Sequence, residues 1–474
     1  MNHLALQALS SDQEPIIALC TPRGSGAIAL LRLSGSHAIE IADAMGRLAS
    51  GKKLSDSPSH TIHFGSLVNP DGTTIDEILF LLMKGPKTFT GQDTIEFTCH
   101  NNQFIIEHVI ACACAHGARL ARAGEFSKRS FLNGKLDLIQ VEAINDIIHA
   151  QTEEALRRSM QQLQGSLSYH LADVQDQLLK LLALTEASFE FLEEEQRDFD
   201  MQAHITTALA HLHTTLTTLQ EEFAHQNTLR QGVTVCLIGK VNAGKSTLFN
   251  ALVKKERAIV SPIAGTTRDS IETNLYKNGI FWTFVDTAGL RTTHDTIEQQ
   301  GIDRSHAQAE ISDVVLIVID TSTPLSEQEA DIYKTLLQKH AHKALMVLTK
   351  HDITHPHFSL SALEQTNSQT LPPLYVCAQT KRGIPELEAM IDTKIQALFA
   401  HLNAPFLLTQ RQATLINEIE KIVDFIEKKF IHTVEYELVA YHLMQALEKI
   451  AELTGKNIHE KMLDEVFGGF CVGK

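Results

Sequence analysis

The stretch Gly239-Lys240-Val241-Asn242-Ala243-Gly244-Lys245-Ser246 has the spacing G-x-x-x-x-G-K-S, with Thr247 directly after it. Backbone N–H groups of such a loop turn inward and cradle phosphate oxygens, aided by the positive end of a following helix. Lys245 can then reach the terminal phosphates of a nucleotide, and the Ser246 hydroxyl can ligate Mg²⁺. A chance glycine-rich turn is the competing reading. The apolar run at 233–238 and the helix-like run at 247–252 argue against it, because strand, loop and helix are what the chemistry requires.

Asp286-Thr287-Ala288-Gly289 ends another apolar run. An acid there can hold Mg²⁺ through water, and the Gly289 N–H can meet a γ-phosphate. Between the two motifs lies Ser261-Pro262-Ile263-Ala264-Gly265-Thr266-Thr267, where a Thr can complete Mg²⁺ coordination when a γ-phosphate is present and make the loop a switch. Thr349-Lys350-His351-Asp352 addresses the base: a carboxylate at Asp352 accepts from N1–H and N2–H₂ of guanine, donors that adenine lacks. The usual motif starts with Asn, so Thr349 is expected to keep guanine specificity with weaker binding. Cys377-Ala378-Gln379 stands where GTPases carry Ser-Ala-Lys, and the Ala378 N–H can still reach guanine O6.

Leu290 occupies the place where many GTPases have the Gln that orients the attacking water. An apolar side chain cannot do so, and another polar group must. Glu298 is the candidate; an exposed helix glutamate is the equal alternative. No in-chain arginine finger is evident. A monovalent cation held by the Asn242 amide and carbonyls of 261–267 would supply the missing positive charge.

These residues need a scaffold, and the alternating strand and helix text from 229 to 400 fits an α/β P-loop domain. Residues 1–132 read as a compact α+β unit. Residues 133–226 and 404–474 read as helical, with apolar stripes such as Leu171, Val174, Leu178 and Leu181; Ile205, Leu209, Leu212, Leu216, Leu219 and Phe223; and Leu415, Ile419, Ile422 and Ile426. Neither helical half buries its stripe alone, so a discontinuous α-helical domain with the α/β domain inserted is expected. The acid-rich stretch at 190–200 reads as a solvated link between helices.

The 474 residues suffice for about three such domains, and the net charge of −16 argues against a coat for non-specific nucleic-acid binding. Seven cysteines without framework spacing suggest reduced thiols in a cytoplasmic protein. Cys112 and Cys114 read as buried thiols. The first residues lack signal-peptide order, and no apolar run approaches a membrane span.

Several blocks resemble the tRNA-modifying GTPase family MnmE, also called TrmE. They are Thr21-Pro22-Arg23-Gly24-Ser25-Gly26, Leu31-Arg32-Leu33-Ser34-Gly35, Phe89-Thr90-Gly91-Gln92-Asp93, the run from Gly124 to Leu138, the GTPase motifs above, and Cys471-Val472-Gly473-Lys474. The resemblance spans essentially the whole chain. It implies an N-terminal folate-binding, homodimer-forming domain that takes 5-formyl- or 5,10-methylene-tetrahydrofolate, with contacts at Arg32, Glu96, Lys135 and Lys474. It implies Mg²⁺ on Ser246 and Thr267, and K⁺ on Asn242, Ser261, Ile263 and Thr266, with Glu298 orienting the water. It further implies joint action with the FAD-carrying flavoprotein MnmG, in a heterotetramer or larger complex, on C5 of the wobble uridine of certain tRNAs. Cys471 is either a reactive thiol near the folate or a buried apolar cysteine. Arg119, Arg122, Lys128, Arg129 and Lys135 are either a tRNA or partner surface or solvated charge. His100-Asn101-Asn102 replaces the family's His-Gly-Gly. The alternative to a modification enzyme is an RNA-binding regulatory or ribosome-assembly GTPase.

Overall fold

The computed structural model describes residues 13–24, 26–69, 71–190, 195–223, 229–230, 232–240, 242–253, 272–286, 307–360, 363, 372–399, 404–430, 436–458 and 460–473. Glu298, Lys474 and the segments 261–267 and 287–289 lie outside the described residues. Tertiary contacts group the chain into two units. The first comprises Met1–Asn145, Gln162–Thr214 and Thr414–Lys474; the second comprises Asp146–Gln161 and Thr215–Ala413.

The N-terminal part of the first unit contains β1 (Ile16–Leu19), β2 (Ile28–Ser34), α1 (Ala38–Met45), β3 (Gly46–Leu48), β4 (Thr61–Val68), β5 (Thr74–Met83), β6 (Thr94–His100), α2 (Gln103–Ala115) and β7 (Arg119–Leu120). Its seven strands run in the order β3-β4-β5-β6-β2-β1-β7, antiparallel throughout except for β1 beside β7. Period-two alternation builds the core: Ala29, Leu31 and Leu33 of β2 and Ile95, Phe97 and Cys99 of β6 are buried. Arg32 and Glu96, one residue out of phase, therefore share the other face, and they are register partners.

Helices follow: α3 (Glu125–Leu132), α4 (Leu138–His149), α5 (Glu153–Leu163), α6 (Ser166–Glu190) and α7 (Glu195–Phe223). Next come β8 (Val233–Ile238), α8 (Lys245–Val253), β9 (Glu272–Lys277), β10 (Ile280–Asp286), β11 (Val314–Asp320), α9 (Glu327–Lys339), β12 (Ala344–Thr349), a 3₁₀ turn at His351–Ile353, β13 (Leu374–Val376) and α10 (Ile384–Phe399). The chain then returns to helix with α11 (Gln410–Phe430), α12 (Tyr436–Thr454) and α13 (Glu460–Gly468).

In the first unit α6 packs along α12, so helical text from before and after the α/β insertion shares one core. Leu171, Val174, Leu178 and Leu181 of α6 face Val439, Leu443 and Ile450 of α12, all buried. Each such side chain contributes roughly 1.5–3 kcal/mol of transfer free energy. On α11 the stripe drifts: Leu415, Ile419 and Ile426 are buried, but Val423 takes the inward place and Ile422 is half-buried. The link expected at 190–200 is shorter than the acid-rich stretch, since the backbone is already helical from Glu195.

The second unit holds a six-stranded sheet, β13-β12-β11-β8-β10-β9. Every pairing is parallel except the β9/β10 hairpin. Both faces are covered, so β8 and β11 read as nearly continuous apolar runs rather than alternating ones. Among the described residues no helix is long and apolar enough to cross a membrane.

Candidate functional site

The phosphate loop leaves the end of β8, which lies between β11 and β10, and runs into α8. Its backbone is shaped for close approach. A Cβ on Gly239 would come within 2.2 Å of the Val318 carbonyl oxygen, so only glycine fits there. Asn242 and Gly244 have φ of 64° and 90°, left-handed values that turn successive N–H groups to one side and form an anion nest. The buried Lys245 ammonium donates to the carbonyls of Gly239 (2.6 Å) and Lys240 (2.8 Å), which holds it within the curve of the loop. The Ser246 and Thr247 side chains are exposed at the start of α8, and the Asn242 side chain is exposed too. This donor set suits a nucleotide phosphate with Mg²⁺ on Ser246. Asp286 ends β10 in register with Leu237 of β8, so that strand end lies beside the loop.

The base-reading motif is joined to the loop through a bond the sequence did not reveal. Thr349, only 3% exposed, ends β12, and its hydroxyl donates to the Ala243 carbonyl (2.6 Å), with the Ile319 carbonyl as a longer second acceptor (3.1 Å). The hydroxyl thus ties the base motif to the phosphate loop. Lys350 pairs with Asp320 at 2.6 Å. Burial alone would raise the Asp320 pKa, but bonds from Lys350 and Ser322 outweigh it and the net direction is down. The Asp352 carboxylate is exposed within the 3₁₀ turn. His351 packs against Tyr375 with ring centroids 4.6 Å apart and the rings tilted by 48°. Cys377 is buried and its N–H donates to the Arg382 carbonyl, while Ala378 and Gln379 are more open.

Sequence reading missed Asp320 and Tyr333. Tyr333, buried on α9, accepts from the Lys240 N–H at 3.2 Å and braces the loop from outside. Asp320 was in principle legible, because parallel strands of matched length place it opposite Thr349.

A second cluster lies in the first unit, where motifs far apart in sequence converge. The Arg32 guanidinium sits over the rings of Phe89 (5.6 Å) and Phe126 (5.5 Å) and pairs with Glu96 at 2.8 Å. Ser34 bonds Thr90 and Thr94, and Asn133 donates to the Thr90 carbonyl. Lys135 is exposed, its stem close enough to Gly91 that an added Cβ there would lie 3.2 Å from Lys135 Cε. The tail docks on the same unit. Val472 bridges to Ala123, and the Cys20 thiol donates to the Gly473 carbonyl at 3.2 Å. Cys471 is exposed, which removes the buried-cysteine reading. Cys112 is buried as expected but Cys114 is exposed. The aromatic, cationic and carboxylate groups around Arg32 suit a flat heteroaromatic ligand with ring donors and an anionic tail.

The basic stretch is mixed: Arg122 and Lys135 are exposed, while its other three cations are paired. Arg119 pairs with Glu14 and Glu125, Arg129 is 2% exposed and bonds Glu125 and Gln92, and Lys128 pairs with Asp464. Burial would raise the Glu125 pKa. The hydrogen bonds from Arg119 and the Arg122 N–H, with the charges of Arg129 and Arg119, pull it down to about 2. In place of His-Gly-Gly, Asn102 caps α2 by accepting from the Phe104 N–H, and the Asn101 amide donates to the Gly24 carbonyl.

The chain matches the family description "GTP-binding protein TrmE N-terminus" over residues 15–135 and "MnmE helical domain" over residues 138–471. It is 33% identical to the "tRNA modification GTPase MnmE" of Geobacillus kaustophilus, covering 98% of this chain and 100% of that one. The protein of the same name from Flavobacterium johnsoniae is 34% identical over 98% of this chain and 100% of its own length. That of Chlorobium phaeobacteroides is 36% identical over 97% of each.

Proposed function

The chain belongs to the MnmE family of tRNA modification GTPases, and on that premise we propose a fuller activity. It is a K⁺-dependent GTPase that, with the flavoprotein MnmG, installs a (carboxymethyl)aminomethyl group at C5 of the wobble uridine of certain tRNAs. A tetrahydrofolate supplies the one-carbon unit. The observation that carries this reading is the joining of phosphate loop and base motif through Thr349 and Ala243, which favours one preorganised guanine-nucleotide site.

Within that site the loop N–H groups and Lys245 bind the phosphates, and Asp352 reads the base. Ser246 and Thr267 would hold Mg²⁺. Asn242, the carbonyls of Ser261 and Ile263, and Thr266 would hold K⁺. These cations supply the positive charge that phosphoryl transfer otherwise draws from an arginine finger. Glu298 orients the attacking water in place of the apolar Leu290. Closure of two copies on each other brings the hydrolytic site to competence, and the homodimer forms through the N-terminal domain. Folate is held by Arg32, Glu96, Lys135 and Lys474, with Cys471 near it. The division into residues 1–132, 133–226, 229–400 and 404–474 is part of the same proposal, as is a cytoplasmic location.

Hydrolysis by the purified chain, measured in K⁺ and in Na⁺, tests the cation assignment; equal rates would remove it. Titration with 5-formyl-tetrahydrofolate tests the second site. Absence of folate binding together with co-sedimentation with ribosomal subunits would favour an assembly GTPase instead.

A further inference from the structure

The β9/β10 hairpin connects the two switch segments along the chain. β9 begins at Glu272, shortly after Thr266 and Thr267, and β10 ends at Asp286, the first residue of the Asp-Thr-Ala-Gly motif. A strand whose two outer ends carry nucleotide-sensing segments responds to them as one lever, and its turn is the far end of that lever. Within the second unit, that turn is gripped by residues from the helical text preceding the P-loop domain. Glu153 N–H donates to the Gly279 carbonyl at 2.7 Å, Phe281 N–H donates to the Gln151 carbonyl at 3.1 Å, and Thr152 bridges to Ile280. Tyr276 OH donates to Glu153 Oε1 at 2.5 Å. Gly279 takes the left-handed φ of 81° that this turn needs, and an added Cβ would lie 3.0 Å from the Glu153 carboxyl.

The grip is anchored behind as well as in front. Thr152, 4% exposed, caps α5 by accepting from the Ala155 N–H and donates its own hydroxyl proton to the Leu229 carbonyl. Gln151 N–H donates to the Arg230 carbonyl, and Arg230 pairs with Asp146 and donates to the Leu407 carbonyl. Ala155, Leu229 and Leu407 pack into one buried cluster. The segments before and after the α/β sheet and the stretch holding the hairpin thus form one connected base. From the gripping stretch, the chain passes to the first unit upstream after residue 145 and downstream after residue 161.

We infer that Gln151, Thr152, Glu153 and Tyr276 are positioning residues that pass the nucleotide state of the switch segments from the hairpin turn into α4 and α5. This rests on the reading that GTP hydrolysis drives tRNA modification. Two backbone bonds and a side-chain bond converge on a hairpin whose turn is remote from the phosphate loop in sequence, and the buried Thr152 cap anchors the gripping stretch behind them.

The position of Glu153 allows a selective test. It is the first residue of α5, where proline is tolerated because the N–H has no intrahelical partner, and Thr152 before it holds a cap conformation compatible with a following proline. Glu153→Pro therefore deletes the donor to Gly279 and the acceptor for Tyr276, and its ring displaces the Gly279 carbonyl that lay 2.7 Å from the nitrogen, while preserving the helix. Glu153→Gln keeps the donor and an acceptor and serves as the conservative control. Each full-length variant replaces the wild type in cells, wobble nucleosides are quantified by mass, and GTP hydrolysis and thermal melting are measured on the purified chain. Glu153→Pro is expected to melt within a few degrees of wild type and hydrolyse GTP at a rate within about twofold of it. Modification is expected to fall by about 5- to 150-fold, the range of inter-site coupling, while Glu153→Gln retains both activities. Modification that stays in proportion to hydrolysis in Glu153→Pro would overturn the inference. So would a parallel loss of hydrolysis in a folded variant, which would make the contact part of the GTPase site itself. Failure of the underlying reading looks different: wild type and every variant would then leave the wobble nucleosides unchanged from the deletion strain.

Discussion

Replacing Thr349 by Val keeps the shape of the side chain and removes one O–H. The hydroxyl has a single proton, and the 2.6 Å contact to the Ala243 carbonyl is the shorter of its two, so one strong bond is lost. At 3% exposure, water cannot readily replace it. Leaving a buried carbonyl without its donor costs about 1–3 kcal/mol. Ala243 belongs to the loop that wraps the phosphates, so the cost falls on the preorganised shape of the nucleotide site. Fluorescent GDP titration should therefore show binding weakened by about 5- to 150-fold, with 1.4 kcal/mol for each factor of ten. Thr349→Ser keeps the hydroxyl and should bind nearly as wild type. If Thr349→Val lowers the melting temperature yet binds GDP with unchanged affinity, the bond stabilises the fold and does not organise the site, and the reasoning fails.

Asp352→Asn leaves an amide donor facing the guanine N1–H and N2–H₂, and discrimination of GTP over ATP should fall by about 100-fold or more in competition binding; the exposed position predicts little change in melting. Glu125→Gln should destabilise the protein by about 3 kcal/mol, because the carboxylate, held down to about 2 from 4.5, loses its charge partners. The sign is that of a lowered pKa: the wild-type contribution is complete above pH 4.5 and lost as pH falls toward 2, so the wild-type and Glu125→Gln melting curves should converge in acid. Lys135→Ala, at an exposed position, should weaken 5-formyl-tetrahydrofolate binding by about 10- to 100-fold, as expected for one charge-assisted bond, without changing GTP hydrolysis.

The elements that position the nucleotide were legible because their signals are local: glycine spacing, an apolar strand ending in Asp286, and stripes at helical steps. The α6 stripe is buried residue for residue as its spacing predicts, whereas on α11 the inward place falls to Val423 rather than Ile422, where the helical period drifts against a strict repeat. What escaped was pairing between distant residues. Arg119 and Lys128 read as part of a basic run, yet their partners Glu14 and Asp464 come from other elements, and charge counting along a segment cannot see them; the Glu125–Arg129 pair, four residues apart on α3, was local. The Thr349 hydroxyl was noted for the amide it replaces; its acceptor on the phosphate loop depends on how β12 lies in the sheet. Arg32 and Glu96 were carried by resemblance, and only the β2/β6 register places them face to face.

The central claim is that nucleotide turnover at the Gly239-to-Ser246 loop is required for tRNA modification. Lys245→Ala removes the ammonium held by the Gly239 and Lys240 carbonyls while leaving the N-terminal cluster around Arg32 untouched. Mass analysis of tRNA nucleosides from a deletion strain carrying either wild-type or Lys245→Ala protein tests that claim most directly. The modified wobble uridine should return with wild type and stay absent with Lys245→Ala. Full restoration by Lys245→Ala, at equal protein levels, would contradict it.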